Sequence, residues 1–202
     1  MSKSLYLVRH GVTDWNVQRK MQGHSNIPLN ETGRLQAQKL QRFFQKNPVD
    51  LVFSSDLDRA LQTAQISSGF PSIIQMPGLR EVSLGDIEGQ TESEVVARYG
   101  QASWDHWASL APEANFAFPG GETHQESLSR FKHHLEQIFR HHEFKKAAVY
   151  THGLMIRRLG HHLRPEMREI LEIPNCGVFE LHWRQDRLHF EGLIFHPANE
   201  PG

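Results

Sequence analysis

Two segments of the sequence place a histidine directly before a glycine at the end of a β-favouring run. Arg9-His10-Gly11 follows the apolar residues 5–8, and His152-Gly153 follows residues 147–150 and Thr151. A neutral imidazole can act as a nucleophile, and a guanidinium binds oxyanions through paired hydrogen bonds. Because parallel strands end at one edge of a sheet, where α/β proteins bind ligands, we expect both imidazoles to converge there. The helix that begins at His152-Gly153 adds free N–H groups, which favour an anion.

Two further charged residues are predicted at the same edge. Arg59 lies in the first turn of a helix that follows a strand at residues 50–53, and Glu81 follows a third strand at residues 73–76. Phosphoryl transfer has a use for each residue type. Two arginines would hold phosphate oxygens, one imidazole would attack phosphorus and the other would donate a hydrogen bond. A carboxylic acid would protonate the leaving oxygen and then deprotonate water.

The elements that must position these residues alternate along the chain. The spacing predicts helices at residues 30–46, 57–68, 123–142, 153–163 and 165–173, and one or two helices over residues 91–110. The predicted strands are 4–8, 50–53, 73–76, 147–150, 177–183 and 188–194. Strands alternating with helices predict an α/β fold, with a mostly parallel sheet covered on both faces. The last two strands are close enough to form a hairpin, so one edge is expected to be antiparallel.

Composition limits the classes of function. The chain has 202 residues, a net charge of −1 and one cysteine. This length suits one domain, and the near-neutral charge does not favour nucleic acid or an anionic membrane as partner. A single cysteine allows no internal disulfide and fits a reducing compartment. No apolar run is long enough to span a bilayer, and the run before Arg9 is too short for a signal peptide. We therefore expect a cytoplasmic protein.

An ordered set of motifs resembles the histidine phosphatase superfamily, the phosphoglycerate mutase-like group. The matching motifs are Arg9-His10-Gly11 with Thr13 and Asn16, Gln22-Gly23, Pro28-Leu29, Gly33, Ser54-Ser55 with Arg59-Ala60 and Thr63-Ala64, Leu79 with Glu81, Gly85 with Glu88-Gly89, Pro119-Gly120-Gly121-Glu122, and His152-Gly153 with Arg157. Asn26 departs from the pattern, because an Asp is common at that position. The resemblance implies a three-layer α/β/α sandwich in one domain over residues 1–202. Residues 86–122, which interrupt the alternation, are predicted to form a lid.

The resemblance also implies roles for residues at matching positions. It implies His10 as the phosphorylated nucleophile and Glu81 as the proton donor, with Arg9, Arg59 and His152 around the phosphate. The further phosphate-binding or substrate-binding candidates are Asn16, Gln22, Gly23 and Gly153.

The pattern of residues 79–89 is similar to the small phosphatase branch, which includes α-ribazole and broad-specificity phosphatases. The mutase branch usually has Arg-Tyr-Gly after the glutamate, whereas this chain has Val82-Ser83-Leu84-Gly85. We therefore expect a phosphoric monoester hydrolase of the histidine acid phosphatase type. It would act on a small-molecule phosphate monoester without a metal or another cofactor. A phosphoglycerate mutase and a catalytically idle phosphate-binding or partner-binding protein are the alternatives. The oligomeric state is left open.

Some of these residues also have purely structural interpretations. Arg59 could pair with Asp56 or Asp58, and Asn16 could be only a turn former. For Trp104 and Trp107, packing within the lid is favoured over stacking on a substrate.

Three adjacent histidine pairs, at residues 133–134, 141–142 and 161–162, raise the possibility of a metal site. Neighbouring residues on a helix point about 100° apart and chelate poorly, so a solvated face is favoured.

Overall fold

A mixed six-stranded sheet forms the centre of the protein. The computed structural model describes residues 3–109, 115–167 and 169–199. The strands are β1 (Lys3–Arg9), β2 (Leu51–Ser54), β3 (Ile74–Gln75), β4 (Lys146–Thr151), β5 (Val178–Arg184) and β6 (Arg187–Phe195). Their order is β3-β2-β4-β1-β5-β6. The first four strands are parallel to one another, and β5 and β6 form the antiparallel edge.

Seven α-helices are present in the described residues. They are α1 (Asp14–Val17), α2 (Glu31–Lys46), α3 (Asp58–Ser67), α4 (Glu92–Tyr99), α5 (Gln101–Ala108), α6 (His124–His141) and α7 (Gly153–Leu163). Short 3-10 turns cover Pro77–Leu79, Gly85–Ile87 and Pro197–Asn199. None of the helices in these described parts is both long enough and apolar enough to cross a membrane.

Two apolar clusters lie on opposite faces of the sheet. Leu5 and Leu7 of β1 belong to the cluster that packs against α6 and α7. Tyr6 and Val8 of the same strand belong to the cluster that packs against α2 and α3. Successive side chains of a strand point to opposite faces, so a strand buried on both sides is apolar throughout. The predicted α/β/α sandwich with an antiparallel edge is confirmed.

One predicted strand differs in extent from the structure, because the third strand is only two residues long, Ile74–Gln75. Of the one or two helices predicted over residues 91–110, the structure has two, divided at Gly100, whose φ of 85° lies in the left-handed region that glycine tolerates. A short helix inside the polar loop, α1, was not predicted from periodicity. It begins with a capping box in which the side chains of Thr13 and Asn16 each accept from the other residue's backbone N–H.

The predicted helix over residues 165–173 is wrong for the described part of that segment, 165–167 and 169–173, which contains no helix. Side chains from elsewhere satisfy its backbone instead. Leu171 donates its N–H to the His161 ring at 3.3 Å and accepts from Arg157 Nε at 3.1 Å. The carbonyl of Ile173 accepts from Arg9. Local periodicity cannot show these long-range partners, which replace helical hydrogen bonds.

A buried hydrogen bond ties α3, which carries Arg59, to β4, which leads to His152. Tyr150 Oη lies 2.8 Å from Ser67 Oγ. The Ser67 hydroxyl gives its hydrogen to the Thr63 carbonyl at 2.7 Å, so it can only accept from Tyr150. Tyr150 therefore donates to Ser67.

We predict that Ser67→Ala destabilises the fold more than Tyr150→Phe. The first change leaves a buried phenol without an acceptor, at a cost of about 1–3 kcal/mol, whereas the second leaves Ser67 paired, at about 0.5–1.5 kcal/mol. Urea unfolding of both variants and of the double variant measures the difference. A larger loss in Tyr150→Phe would contradict the assignment.

Candidate active site

His10 lies just beyond the end of β1, in the wall of a cavity. Its backbone N–H donates to the Thr151 carbonyl at 3.1 Å, which fixes it beside the end of β4. Its Nδ1 is 2.7 Å from the Gly11 carbonyl. A carbonyl oxygen only accepts, so Nδ1 carries the proton and Nε2 keeps its lone pair. The ring is only 3% exposed, yet it lines the cavity, so Nε2 is suited to attack a bound electrophile.

His152 packs against His10. The two ring centroids are 5.3 Å apart, so the structure brings the two imidazoles together. His152 Nε2 lies 2.9 Å from Ser55 Oγ, a hydroxyl that accepts from the Leu57 N–H at 3.3 Å. Among the described residues Nε2 is the only acceptor within reach of that hydroxyl's hydrogen, so we assign the hydrogen to the bond with Nε2, which leaves the ring proton on Nδ1. That Nδ1 is buried and has no partner among the described residues.

Arg9 and Arg59 are held by backbone carbonyls rather than by carboxylates. Arg59 is fully buried and donates to the carbonyls of Ser25 at 2.8 Å and Gly23 at 2.7 Å. Arg9 donates to the carbonyl of Ile173. The structural interpretation in which Arg59 pairs with a neighbouring aspartate does not hold.

Three donor atoms around His10 are buried without an acceptor. In the described residues, five buried side-chain nitrogen or oxygen atoms lack a hydrogen-bond partner, and three of these are Arg9 Nε, Arg59 Nε and His152 Nδ1. A buried unpaired donor costs about 1–3 kcal/mol, and more when it is charged. Arg9 and Arg59 line the cavity, where an oxyanion could accept from them, whereas His152 lies behind the wall and contacts His10.

Burial sets the charge of this group. It lowers the pKa of His10 well below its ordinary value, and the charges of Arg59 and Arg9 lower it further. Burial and Arg59 do the same to the pKa of His152. Burial also lowers the pKa of Arg9 and of Arg59 to about 10, against the opposing effect of Glu81. At neutral pH both imidazoles are therefore neutral, while both guanidinium groups keep their charge.

The side chain of Glu81 binds the N-terminal end of α7. Its carboxylate accepts from the N–H groups of Leu154 at 3.0 Å and Met155 at 3.1 Å, and from its neighbour Val82 at 3.1 Å. These two helix N–H groups were expected to face a ligand, so that part of the prediction is corrected: they bind the chain's own carboxylate. The helix dipole stabilises a negative charge at this position.

Arg130, on α6, holds the backbone that carries Glu81, and sequence reasoning missed it. Its guanidinium donates to the carbonyls of Gly78 at 2.8 Å, Arg80 at 3.1 Å and Glu81 at 3.0 Å. It also forms a two-pronged ion pair with Glu122, with both distances 2.7 Å. The only sequence signal for this contact was Glu122 in the Pro119-Gly120-Gly121-Glu122 motif, and that motif does not indicate that Arg130 is the partner of Glu122.

The cavity beside His10 has a volume of about 370 Å³. Asn16, Gln22 and Gly23 all lie in its wall, as do Arg9, Arg59 and Glu81. Thr13 orients two of the amides, because its N–H donates to Asn16 Oδ1 at 3.1 Å and its hydroxyl donates to Gln22 Oε1 at 3.0 Å. Asn16 is thus both a turn former and a wall residue.

Two other positions discussed from the sequence, Gly153 and Asn26, support neighbouring parts of the site. A Cβ atom added at Gly153 would lie 2.9 Å from Arg9 Nε, so glycine leaves room for that guanidinium. Asn26, the departure from the motif, accepts from the backbone N–H of Asp58 at 2.8 Å and so supports the start of α3.

The cavity wall also contains residues that were not among the predicted site residues. Lys20, Arg157 and Arg158 add positive charge. Trp104 and Trp107 pack on each other with ring centroids 5.1 Å apart and also line the cavity.

Comparison with known proteins identifies relatives along nearly the whole chain. The model of the family "Histidine phosphatase superfamily (branch 1)" matches residues 5–194. "Phosphoglycerate mutase-like protein 4" of Arabidopsis thaliana is 36% identical over 188 residues, which cover 86% of this chain and 76% of the relative. The "Metal-independent phosphoserine phosphatase" of the same plant is 32% identical over 169 residues, 77% of this chain and 66% of the relative. A mycobacterial glucosyl-3-phosphoglycerate phosphatase, solved with VO3, has a TM-score of 0.81 and 26% identity, covering 94% of this chain and 98% of its own.

We predict that the free energy of unfolding falls as the pH is lowered from 7 to 5. The unfolded imidazoles of His10 and His152 bind protons below about pH 6.5, whereas the buried ones do not. The unfolded state then binds more protons, so acid favours unfolding by about 1.4 kcal/mol per pH unit for each such histidine.

Urea unfolding of the wild type and of His10→Asn at several pH values measures this dependence. The variant should show a shallower loss below pH 6.5 and no difference in slope above pH 8. Parallel curves throughout would contradict a lowered pKa for His10.

Proposed function

Because the chain belongs to the histidine phosphatase superfamily, we propose that it is a phosphomonoesterase. It hydrolyses a small phosphorylated metabolite through a phosphohistidine on His10. The observation that carries this proposal is the set of three unpaired buried donors, Arg9 Nε, Arg59 Nε and His152 Nδ1, around an imidazole whose Nε2 keeps its lone pair. A phosphoryl group offers these donors three oxygens.

In the first step, His10 Nε2 attacks phosphorus and the bond between phosphorus and the ester oxygen breaks. Arg9, Arg59 and His152 donate to the non-bridging oxygens, and stabilise the charge in the transition state. Glu81, entering the step as a carboxylic acid, gives its proton to the leaving oxygen, so that an alcohol departs.

In the second step, water replaces the histidine. Glu81, now a carboxylate held by the N–H groups of Leu154 and Met155, takes a proton from water as the oxygen attacks phosphorus. The bond between phosphorus and His10 breaks, and the ring returns to its neutral form. Phosphate leaves, and Glu81 is again an acid.

The nucleophile must be neutral, and a lowered pKa of His10 keeps it neutral in mild acid, which supports the histidine acid phosphatase type of chemistry. Two buried guanidinium groups already supply positive charge to the phosphate, so we propose that the reaction needs no metal or other cofactor. The metal-independent phosphoserine phosphatase among the relatives supports this. Action in the cytoplasm, on a small molecule rather than on nucleic acid, remains a prediction from composition.

Phosphoglycerate mutase activity is the second candidate, because a mutase-like protein is among the relatives. The residues after Glu81 lack the mutase pattern, so we expect hydrolysis to exceed isomerisation. An assay of 3-phosphoglycerate primed with the bisphosphate, run with and without EDTA, separates the two activities.

We predict that His10→Ala and Glu81→Gln fail in different ways. His10→Ala cannot form a phosphoenzyme from any substrate. Glu81→Gln cannot donate a proton, so hydrolysis of an alkyl phosphate should fall roughly 10²–10⁴-fold. Release of p-nitrophenolate, a weak base, should fall much less, and phosphate should accumulate on His10.

Single-turnover kinetics with trapping of the phosphoenzyme measures both variants. Asp86→Asn is the matched control, because that exposed carboxylate pairs with Arg98 at 3.6 Å and is not part of the cavity wall. Equal losses on alkyl and aryl substrates would remove Glu81 from the acid role. A phosphorylated His10→Ala protein would contradict the mechanism.

A further inference from the structure

The peptide unit between Gly23 and His24 joins Arg59 to a carboxylate that the proposed mechanism does not use. Its carbonyl accepts from Arg59 at 2.7 Å, and its N–H donates to Glu88 Oε1 at 2.8 Å. A trans peptide points its carbonyl and its N–H in opposite directions, so Arg59 and Glu88 lie on opposite sides of one peptide plane. A rotation of this peptide would break both hydrogen bonds at once.

Glu88 also binds the next residue of the same loop. Its Oε2 accepts from the N–H of Ser25 at 2.7 Å and from the Ser25 hydroxyl at 2.5 Å. The Ser25 carbonyl is the second backbone acceptor of Arg59, at 2.8 Å. The fourth bond of the carboxylate, from the Leu84 N–H to Oε1 at 3.1 Å, ties the loop to the segment that follows Glu81. Both carbonyls that hold Arg59 therefore lie in a loop that Glu88 holds from the other side.

Glycine at position 23 lets the carboxylate approach this loop closely. A Cβ atom added to Gly23 would lie 2.1 Å from Glu88 Oε1, and the φ of 51° lies in the left-handed region that glycine tolerates. No other acceptor for the His24 N–H is present among the described residues. Loss of the carboxylate would therefore leave that donor unpaired and its peptide free to rotate.

Glu88 is not itself suited to exchange protons with a substrate. It is not among the described residues that line the cavity, and its two oxygens already accept from four donors. Its charge still reaches the site, because burial lowers the pKa of Arg59, and Glu81 and then Glu88 oppose this effect. Hydrogen bonds in a chain polarise one another, so a carboxylate on one side of a peptide strengthens the bond to a guanidinium on the other.

We propose that Glu88 is a positioning residue for Arg59. Its carboxylate holds the peptide between Gly23 and His24 with the carbonyl toward the guanidinium, and so fixes the guanidinium where it binds a phosphoryl oxygen. The proposal rests on the proposed function for the contact between Arg59 and phosphate. Because the phosphoryl group is common to every substrate, the effect of Glu88 should not depend on the leaving group.

Calorimetric titration with inorganic phosphate tests the proposal without turnover. Glu88→Gln keeps the size of the side chain but turns one oxygen into a donor, which cannot accept from the loop. Affinity for phosphate should therefore fall roughly 10- to 100-fold, the value of one charge-assisted hydrogen bond. The number of binding sites per chain should stay at the wild-type value, because a purely structural defect lowers the folded fraction and not the affinity of the folded protein.

A double-mutant cycle with Arg59→Met shows whether the effect passes through Arg59. This change removes every donor to the loop carbonyls, so adding Glu88→Gln to it should change phosphate affinity by no more than about 3-fold. Asp50→Asn is the matched control, because Asp50 also accepts from two backbone N–H groups, those of Lys145 at 2.7 Å and Lys146 at 3.0 Å. It lies at the opposite edge of the sheet, where β2 and β4 begin, and Asp50→Asn should bind phosphate as the wild type does.

Kinetics on an alkyl and an aryl phosphate distinguish an effect through Arg59 from one through Glu81. Glu88→Gln should lower kcat/KM by the same factor on both substrates, unlike Glu81→Gln. A larger loss on the alkyl phosphate, an unchanged phosphate affinity, or the same loss of affinity with and without Arg59 would overturn the inference. If Glu88→Gln does not fold, Glu88→Asp, which keeps the charge and shortens the side chain, is measured in the same way and judged by the same outcomes.

The Arg59→Met variant separates this inference from the proposed function. Unchanged phosphate affinity in Arg59→Met would count against the proposed function, and the inference would fall with it. A loss in Arg59→Met without a loss in Glu88→Gln would leave the proposed function standing and overturn the inference alone. Losses in both single variants, with no further loss in the double variant, support the inference.

Discussion

Two guanidinium groups buried at one edge of the sheet impose the main physical constraint on this site. A charge in the protein interior is tolerated only when other groups compensate it. Backbone carbonyls of the 23–25 loop compensate Arg59, and that of Ile173 compensates Arg9. The Nε atoms of both have no hydrogen-bond partner among the described residues, which is why we propose that they bind the oxygens of a phosphate. Burial, reinforced by the same positive charge, lowers the pKa of both neighbouring imidazoles and keeps them neutral, and a neutral imidazole is what nucleophilic attack requires.

Glu81 is fixed from two directions. Its carboxylate binds the first N–H groups of α7, while Arg130 on α6 binds its carbonyl and those of two preceding residues. The position of Glu81 therefore depends on two helices that contact each other and on the ion pair between Arg130 and Glu122. The same helix also begins beside His152, so one element positions both the carboxylate and an imidazole.

The strand ends were the most predictable part of the site. Arg9 pairs in register with Thr151, so parallel pairing alone places His10 beside His152. The common edge of the two histidines followed from parallel strands alone, whereas the direct pairing of β1 with β4, distant in sequence, came only from the structure. The docking of Glu81 onto α7, the clamp formed by Arg130 and the non-helical path after Pro165 could not be predicted. Each depends on side chains that meet backbone groups distant in sequence, and local periodicity carries no signal for such pairs.

A crystal structure of the wild-type protein with orthovanadate tests the central claim most directly. We predict vanadium bonded to His10 Nε2, with its oxygens about 2.7–3.2 Å from Arg9 Nε, Arg59 Nε and His152 Nδ1. Vanadate bound elsewhere in the cavity, with those three atoms still unpaired, would contradict the account.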